Sequence, residues 1–204
     1  MTKEQYLAIA RIGFGLLGVA AIVTQLLNSV ELGRSIPNFF SFFTIQSNIL
    51  VAILLLVTGI CNLRGIIRNI ANLRGALTLY ITMTGIIYFL LLSGSEDALQ
   101  TTIPWVNIVL HYLIPLVVVT DWILFPPKNN VSFRQAIVWL IYPVGYLLFS
   151  LTRGAFTGWY PYPFLNPITT GWPNLMAVCI IIAIASVGLT WLIIQRTPKA
   201  PRQR

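Results

Sequence analysis

Apolar positions gather into six long stretches, about 6–28, 38–61, 75–93, 103–125, 135–152 and 173–195, with short polar connections between them. Each is close to the roughly 20 residues a helix needs to cross a bilayer. The pattern predicts an all-α, polytopic membrane protein: a bundle of six transmembrane helices forming a single domain over residues 1–204. The first stretch is long, carries Arg11 inside it and lacks a small-x-small cleavage site, so it reads as a retained span rather than a signal peptide. Three spans per half would permit an inverted repeat, but the halves share no matching motif.

Composition agrees with the pattern. Only 9% of residues are charged and 57% are hydrophobic, against about 25% charged in soluble domains. The net charge of +8 would fit nucleic acid, but the charges sit in short loops and the tail, so no nucleic-acid partner is expected. Six spans put both termini on one side. With both inside, Lys3, Arg64, Arg68, Arg74, Lys128, Arg134, Arg196, Lys199, Arg202 and Arg204 are cytoplasmic, while Arg34 and Arg153 remain outside with Glu31, Glu96 and Asp97. That asymmetry predicts N-in and C-in, in the plasma membrane if the source is bacterial. The tail "RTPKAPRQR" reads as a topology anchor, with anionic lipid binding as the second reading.

The longest outer connection, "RGAFTGWYPYPFLNPITTGWP", reads either as a structured cap or as an aromatic anchor. Trp159, Tyr160, Tyr162 and Trp172 suit an interfacial belt. Cys61 and Cys179 fall at different depths, beyond disulfide reach, and read as free, buried and inert.

Three ionisable residues lie within spans, and each is a functional candidate because inserting it is costly. Arg11 and Asp121 share an inner layer; they read as a structural ion pair, or else as part of a proton relay. His111 shares an outer layer with Thr44. Each has polar company on its own helix face: Ser41 and Asn48 beside Thr44, Asn107 beside His111. A threonine hydroxyl becomes a nucleophile only when a base takes its proton, and histidine is the usual base. Asn48, Ser47 or Asn107 would then serve a developing oxyanion. Arg153 would meet a lipid carboxylate or phosphate, or simply anchor the fifth span. The bland alternative is that these hydroxyl, amide and imidazole groups only tie helices together. Sequence motifs for other hydrolases and for phosphate loops do not occur, the lone histidine argues against a multi-histidine metal site, and no metal or organic cofactor is implied.

Three motifs carry a resemblance: "FFTIQSN" around Thr44, "LHYLIPLVVVTDW" with His111, Pro115 and Asp121, and "GWYPYPF" around Trp159, Tyr160 and Pro161. In these the chain resembles the androgen-induced protein family, which includes the androgen-dependent TFPI-regulating protein, and looks like a bacterial-type relative. The resemblance implies six spans and a hydrolase of fatty acid esters of hydroxy fatty acids, with Thr44 as nucleophile and His111 as base. Pro115 follows His111 by four residues rather than the five of the animal members.

The expectation is therefore a Thr44–His111 dyad in an outer-half pocket, cleaving a lipid or fatty-acid ester that arrives from the membrane. Two rivals stand beside it. A small-solute or proton-coupled transporter would use Arg11, His111 and Asp121, with Pro115 and Pro143 as kinks. A non-enzymatic scaffold would satisfy Thr44 and His111 locally, with no cavity between them.

Overall fold

The computed structural model describes residues 2–66, 69–94 and 102–198. Arg68, Glu96, Asp97 and the tail from Lys199 lie outside the described residues, as does the anionic-lipid reading of that tail. Among the described residues the chain is helical and without strands. Six helices are long and apolar enough to cross a membrane, which makes this a multi-pass integral membrane protein.

The helices are α1 (Lys3–Glu31), the short α2 (Ile36–Phe40), α3 (Phe43–Leu63), α4 (Ala71–Leu92), α5 (Pro104–Leu124), α6 (Phe133–Thr157), the short α7 (Pro167–Thr170) and α8 (Trp172–Ile194). Their starts follow from capping chemistry. Thr2 and Gln5 form a reciprocal capping box at α1, and Ser132 and Gln135 repeat it at α6. α3 and α4 are the most buried spans, and α6 and α8 lie at the periphery.

α1 and α3 form the largest helix pair. Small residues bring them together: a Cβ on Gly59 would lie 2.8 Å from the Ala8 carbonyl oxygen. Close approach of this kind is how helices associate in lipid, where no hydrophobic drive exists between apolar surfaces.

The expected second span, 38–61, is not continuous. The chain turns at Ser41–Phe42, whose Phe42 is extended (φ −75°, ψ 129°), so α2 and α3 are separate helices. The Ser41 hydroxyl donates to Pro37 O at 2.7 Å, closing α2, and Phe39, Phe42 and Phe43 bury their rings. This break moves Thr44 from mid-helix into the first turn of α3.

The two prolines act as expected of residues that lack an N–H and crowd the carbonyl four positions back. Pro143 frees the Trp139 carbonyl, which instead accepts from the Tyr80 hydroxyl at 2.8 Å. Pro115 frees the carbonyl of His111, and α5 widens over Val109–Leu113 into a π-helical turn. A Cβ on Gly85 would stand 3.3 Å from that freed carbonyl oxygen and 3.1 Å from Pro115 Cβ, so a larger residue would crowd α4 against α5.

At the basic end, Asp121 joins three helices. Arg11 Nε and Nη2 meet its two carboxylate oxygens at 2.9 and 3.0 Å, and Arg74 Nη2 adds a third contact at 3.0 Å. Arg74 was expected in a loop. Because α4 begins at Ala71, it lies one turn inside the helix, with its guanidinium carbon 5.4 Å from the Trp122 ring centre.

Candidate functional site

Thr44 sits in the first turn of α3, where backbone N–H groups have no helical acceptor. Phe42, the residue at the cap, makes no side-chain hydrogen bond to the helix. Two tyrosines do the work instead. The Phe43 N–H donates to the Tyr146 hydroxyl and the Thr44 N–H to the Tyr162 hydroxyl, each at 3.2 Å. The Thr44 Oγ1 lies 3.5 Å from that same Tyr162 oxygen. The first N–H groups of α3 thus point at two phenol oxygens, one of which also faces the Thr44 hydroxyl.

Tyr162 was assigned to the interfacial belt, and the structure corrects this: the side chain turns inward and is only 6% exposed. Held between Pro161 and Pro163, it belongs to a folded connection that also buries Leu165 and stacks Tyr162 on Phe164 at 5.4 Å. Burial pushes its phenol pKa up, so the hydroxyl stays a neutral donor. Trp172, by contrast, is exposed as a belt residue would be.

Thr44, Tyr146 and Tyr162 border a cavity of about 180 Å³, together with the hydroxyl residues Thr84 and Ser186 and a mainly apolar wall from α4, α6, α8 and the connection before α8. α8 meets α6 along Phe133–Leu140 and meets the 159–171 connection near its other end. Between those contacts Val144 and Val187 both line the cavity and face outward, at 55% and 39% exposure. The cavity is thus approached sideways, between α6 and α8, from the lipid-facing surface. Cys179 also lines it. Cys61 and Cys179 are both free thiols; Cys61 is buried and Cys179 partly so.

His111 lies in the widened turn of α5, 3% exposed. Its ring stacks on Tyr88 with centroids 3.9 Å apart and planes at 21°. Nδ1 meets the Asn107 carbonyl oxygen at 3.2 Å. A carbonyl only accepts, so Nδ1 is the donor in this contact. Asn107 Nδ2 in turn donates to the Tyr88 hydroxyl at 2.6 Å.

Asn48 links the two residues through the backbone. Its Nδ2 donates to Thr44 O at 2.9 Å and to Leu110 O at 3.1 Å, so Thr44 and the residue before His111 share one layer. Among the described residues the oxygens Asn48 Oδ1 and Asn107 Oδ1 are buried acceptors without a partner, which is uncommon and favours sites that receive a donor from elsewhere. The Thr44 hydroxyl faces the Tyr162 oxygen and His111 Nδ1 faces the Asn107 carbonyl, and the imidazole does not line the 180 Å³ cavity.

The other candidates have structural partners. Ser47 Oγ bonds the Thr84 hydroxyl at 2.9 Å, tying α3 to α4. Arg153 donates to Asn38 Oδ1 at 2.6 Å and lies 4.9 Å from the Trp159 ring centre, which fastens α2 and the outer connection to α6. Gln46 accepts from Tyr142 at 2.6 Å and donates to Phe40 O. Each polar side chain between Ser41 and Asn48 thus has a contact.

Neither a protein-family model nor a characterised protein nor a solved structure matches the chain.

Proposed function

We propose that the protein is an intramembrane hydrolase of lipid or fatty-acid esters, of the kind made between fatty acids and hydroxy fatty acids, with Thr44 as nucleophile and His111 as base. The observation that carries this reading is the Thr44 hydroxyl, placed at a helix N-terminus on the wall of an apolar cavity that opens toward lipid. The residues "FFTIQSN" and "LHYLIP", which resemble the androgen-induced protein family, support the same assignment.

In this mechanism Thr44 Oγ1 attacks the ester carbonyl carbon as its proton passes to His111 Nε2. The carbonyl electron pair moves onto oxygen, where the Tyr162 O–H donates to the oxyanion. Collapse breaks the carbon–oxygen bond, the departing alkoxide takes the proton from His111, and the acyl group remains on Thr44. Water, deprotonated by His111, then releases the fatty acid and restores the hydroxyl. Thr44 and His111 must close on each other in the substrate complex; catalytic hydrogen bonds commonly tighten only at that stage.

The local partners of Thr44 and His111 favour a second reading, a non-enzymatic bundle that merely holds a lipid in the cavity. Turnover separates the two. The purified protein, assayed against a fatty acid ester of a hydroxy fatty acid, is expected to release both acids, and Thr44→Ala and His111→Ala to lose release while still unfolding cooperatively on heating. A wild type without release, or a variant that keeps it, removes the hydrolase reading or that residue's part in it.

A further inference from the structure

A second cavity, of about 300 Å³, lies at the basic end between α3 and α4. It shares no lining residue with the Thr44 cavity. Arg11 and Arg74 line it at one end, and Leu50, Ile53, Val57 and Leu73 supply hydrocarbon. Ile53, Val57 and Leu73 are also exposed on the outer surface, so this groove too opens toward lipid.

Its charge is unbalanced. Two guanidiniums share the single carboxylate of Asp121. Arg11 spends Nε and Nη2 on Asp121, and Nη1 faces Asn62, whose amide is best satisfied with its oxygen 3.1 Å from that nitrogen and its nitrogen 3.1 Å from Thr58 O. Arg74 spends Nη2 on Asp121 and on Phe125 O. Its Nε and Nη1 meet no acceptor among the described residues. A surplus cation within a bundle is costly unless an anion joins it. A planar fork with free donors is the shape that phosphate oxygens fit.

We propose that this groove binds one anionic phospholipid, with its phosphate on the unspent donors of Arg74 and an acyl chain along Leu50, Val57 and Leu73. The hydrocarbon mouth selects a lipid over a free anion, and the surplus positive charge selects an anionic headgroup over a zwitterionic one. The site does not depend on the chemistry at Thr44.

Native mass spectrometry of the full chain in mild detergent tests it, with phosphatidylglycerol and phosphatidylcholine of equal acyl length as probes and inorganic phosphate as competitor. The wild type should retain one phosphatidylglycerol about tenfold more strongly than phosphatidylcholine, the scale of one charge-assisted contact. Arg74→Gln should remove that preference. Val57→Trp, which fills the groove without touching the ion pairs, should reduce retention of both lipids. Millimolar phosphate should displace neither. Equal retention of the two lipids, unchanged retention in a folded Val57→Trp, or displacement by phosphate would overturn the proposal. If Arg74→Gln does not fold, Val57→Trp still decides.

Discussion

The Tyr162 hydroxyl accepts the Thr44 backbone N–H at 3.2 Å and stands 3.5 Å from the Thr44 side-chain oxygen. One phenol thus caps a helix and reaches the group that would perform the chemistry. Tyr162→Phe removes both roles. The orphaned N–H should cost about 1–3 kcal/mol of stability, read as a lower unfolding temperature. Ester turnover should fall by about 100-fold, the loss expected for one oxyanion donor. Unchanged turnover in a folded Tyr162→Phe would limit Tyr162 to capping.

The same phenol sets an expectation for pH. Burial raises its pKa, and raising an acid's pKa extends its neutral form upward in pH. Donation from Tyr162 should therefore survive past about pH 10, the ordinary tyrosine value. Turnover measured between pH 8 and 10 should show no fall that disappears in Tyr162→Phe.

Ser47 offers a contrast with its neighbour Thr44. Its hydroxyl bonds Thr84 in the core, and Ser47 is fully buried. Ser47→Ala should lower stability by about 1 kcal/mol and leave the ester rate within twofold of wild type. A rate collapse in this variant would move the nucleophile from Thr44 to Ser47.

Tyr80 bears on how the backbone carbonyl freed within α6 is satisfied. Its hydroxyl satisfies the Trp139 carbonyl that Pro143 leaves without a helical donor. Tyr80→Phe should destabilise by about 1–3 kcal/mol through that unsatisfied carbonyl, without altering the ester rate. Pro143→Ala restores the helical N–H, so in that background Tyr80→Phe should cost clearly less. Equal costs in the two backgrounds would mean the carbonyl is satisfied in another way.

Asp121 tests the inner layer. Asp121→Asn leaves Arg11 and Arg74 facing each other without a counter-charge and should cost about 3–5 kcal/mol, as breaking a buried pair does. Chemical or thermal unfolding in detergent gives the value. A loss under 1 kcal/mol would mean that lipid or solvent already screens the cluster.

The bundle was legible because hydropathy reports span number directly, and the six expected stretches coincide with six helices to within a few residues at most ends. The meeting of Arg11 with Asp121 was legible from depth alone, since the N-terminal part of α1 and the C-terminal part of α5 lie on the same side of the bundle. Arg74 was not, because the start of α4 at Ala71 lies in a stretch whose composition does not separate helix from loop. The break at Ser41–Phe42 left no hydropathy signal: aromatic residues flank it on both sides, and the polar groups that close it look like any polar groups in a span. Tyr162 was hidden for a related reason. A tyrosine between two prolines at a membrane surface suits the interfacial belt, and only the fold of the connection turns it inward. The sequence placed Thr44 and His111 in one layer, and the Asn48 bridge joins the backbones there; which way an imidazole turns is a packing outcome, set here by Tyr88 and Asn107.

If the Thr44 hydroxyl is reactive, a fluorophosphonate probe measures that reactivity directly. Attack would join Oγ1 to phosphorus and expel fluoride, leaving an adduct that peptide mass spectrometry assigns to one residue. Labelling is expected at Thr44 in the wild-type protein, none in Thr44→Ala, and labelling slowed at least tenfold in His111→Ala, the low end for loss of a general base. An unlabelled wild type, or an adduct that persists in Thr44→Ala, would contradict a Thr44 nucleophile.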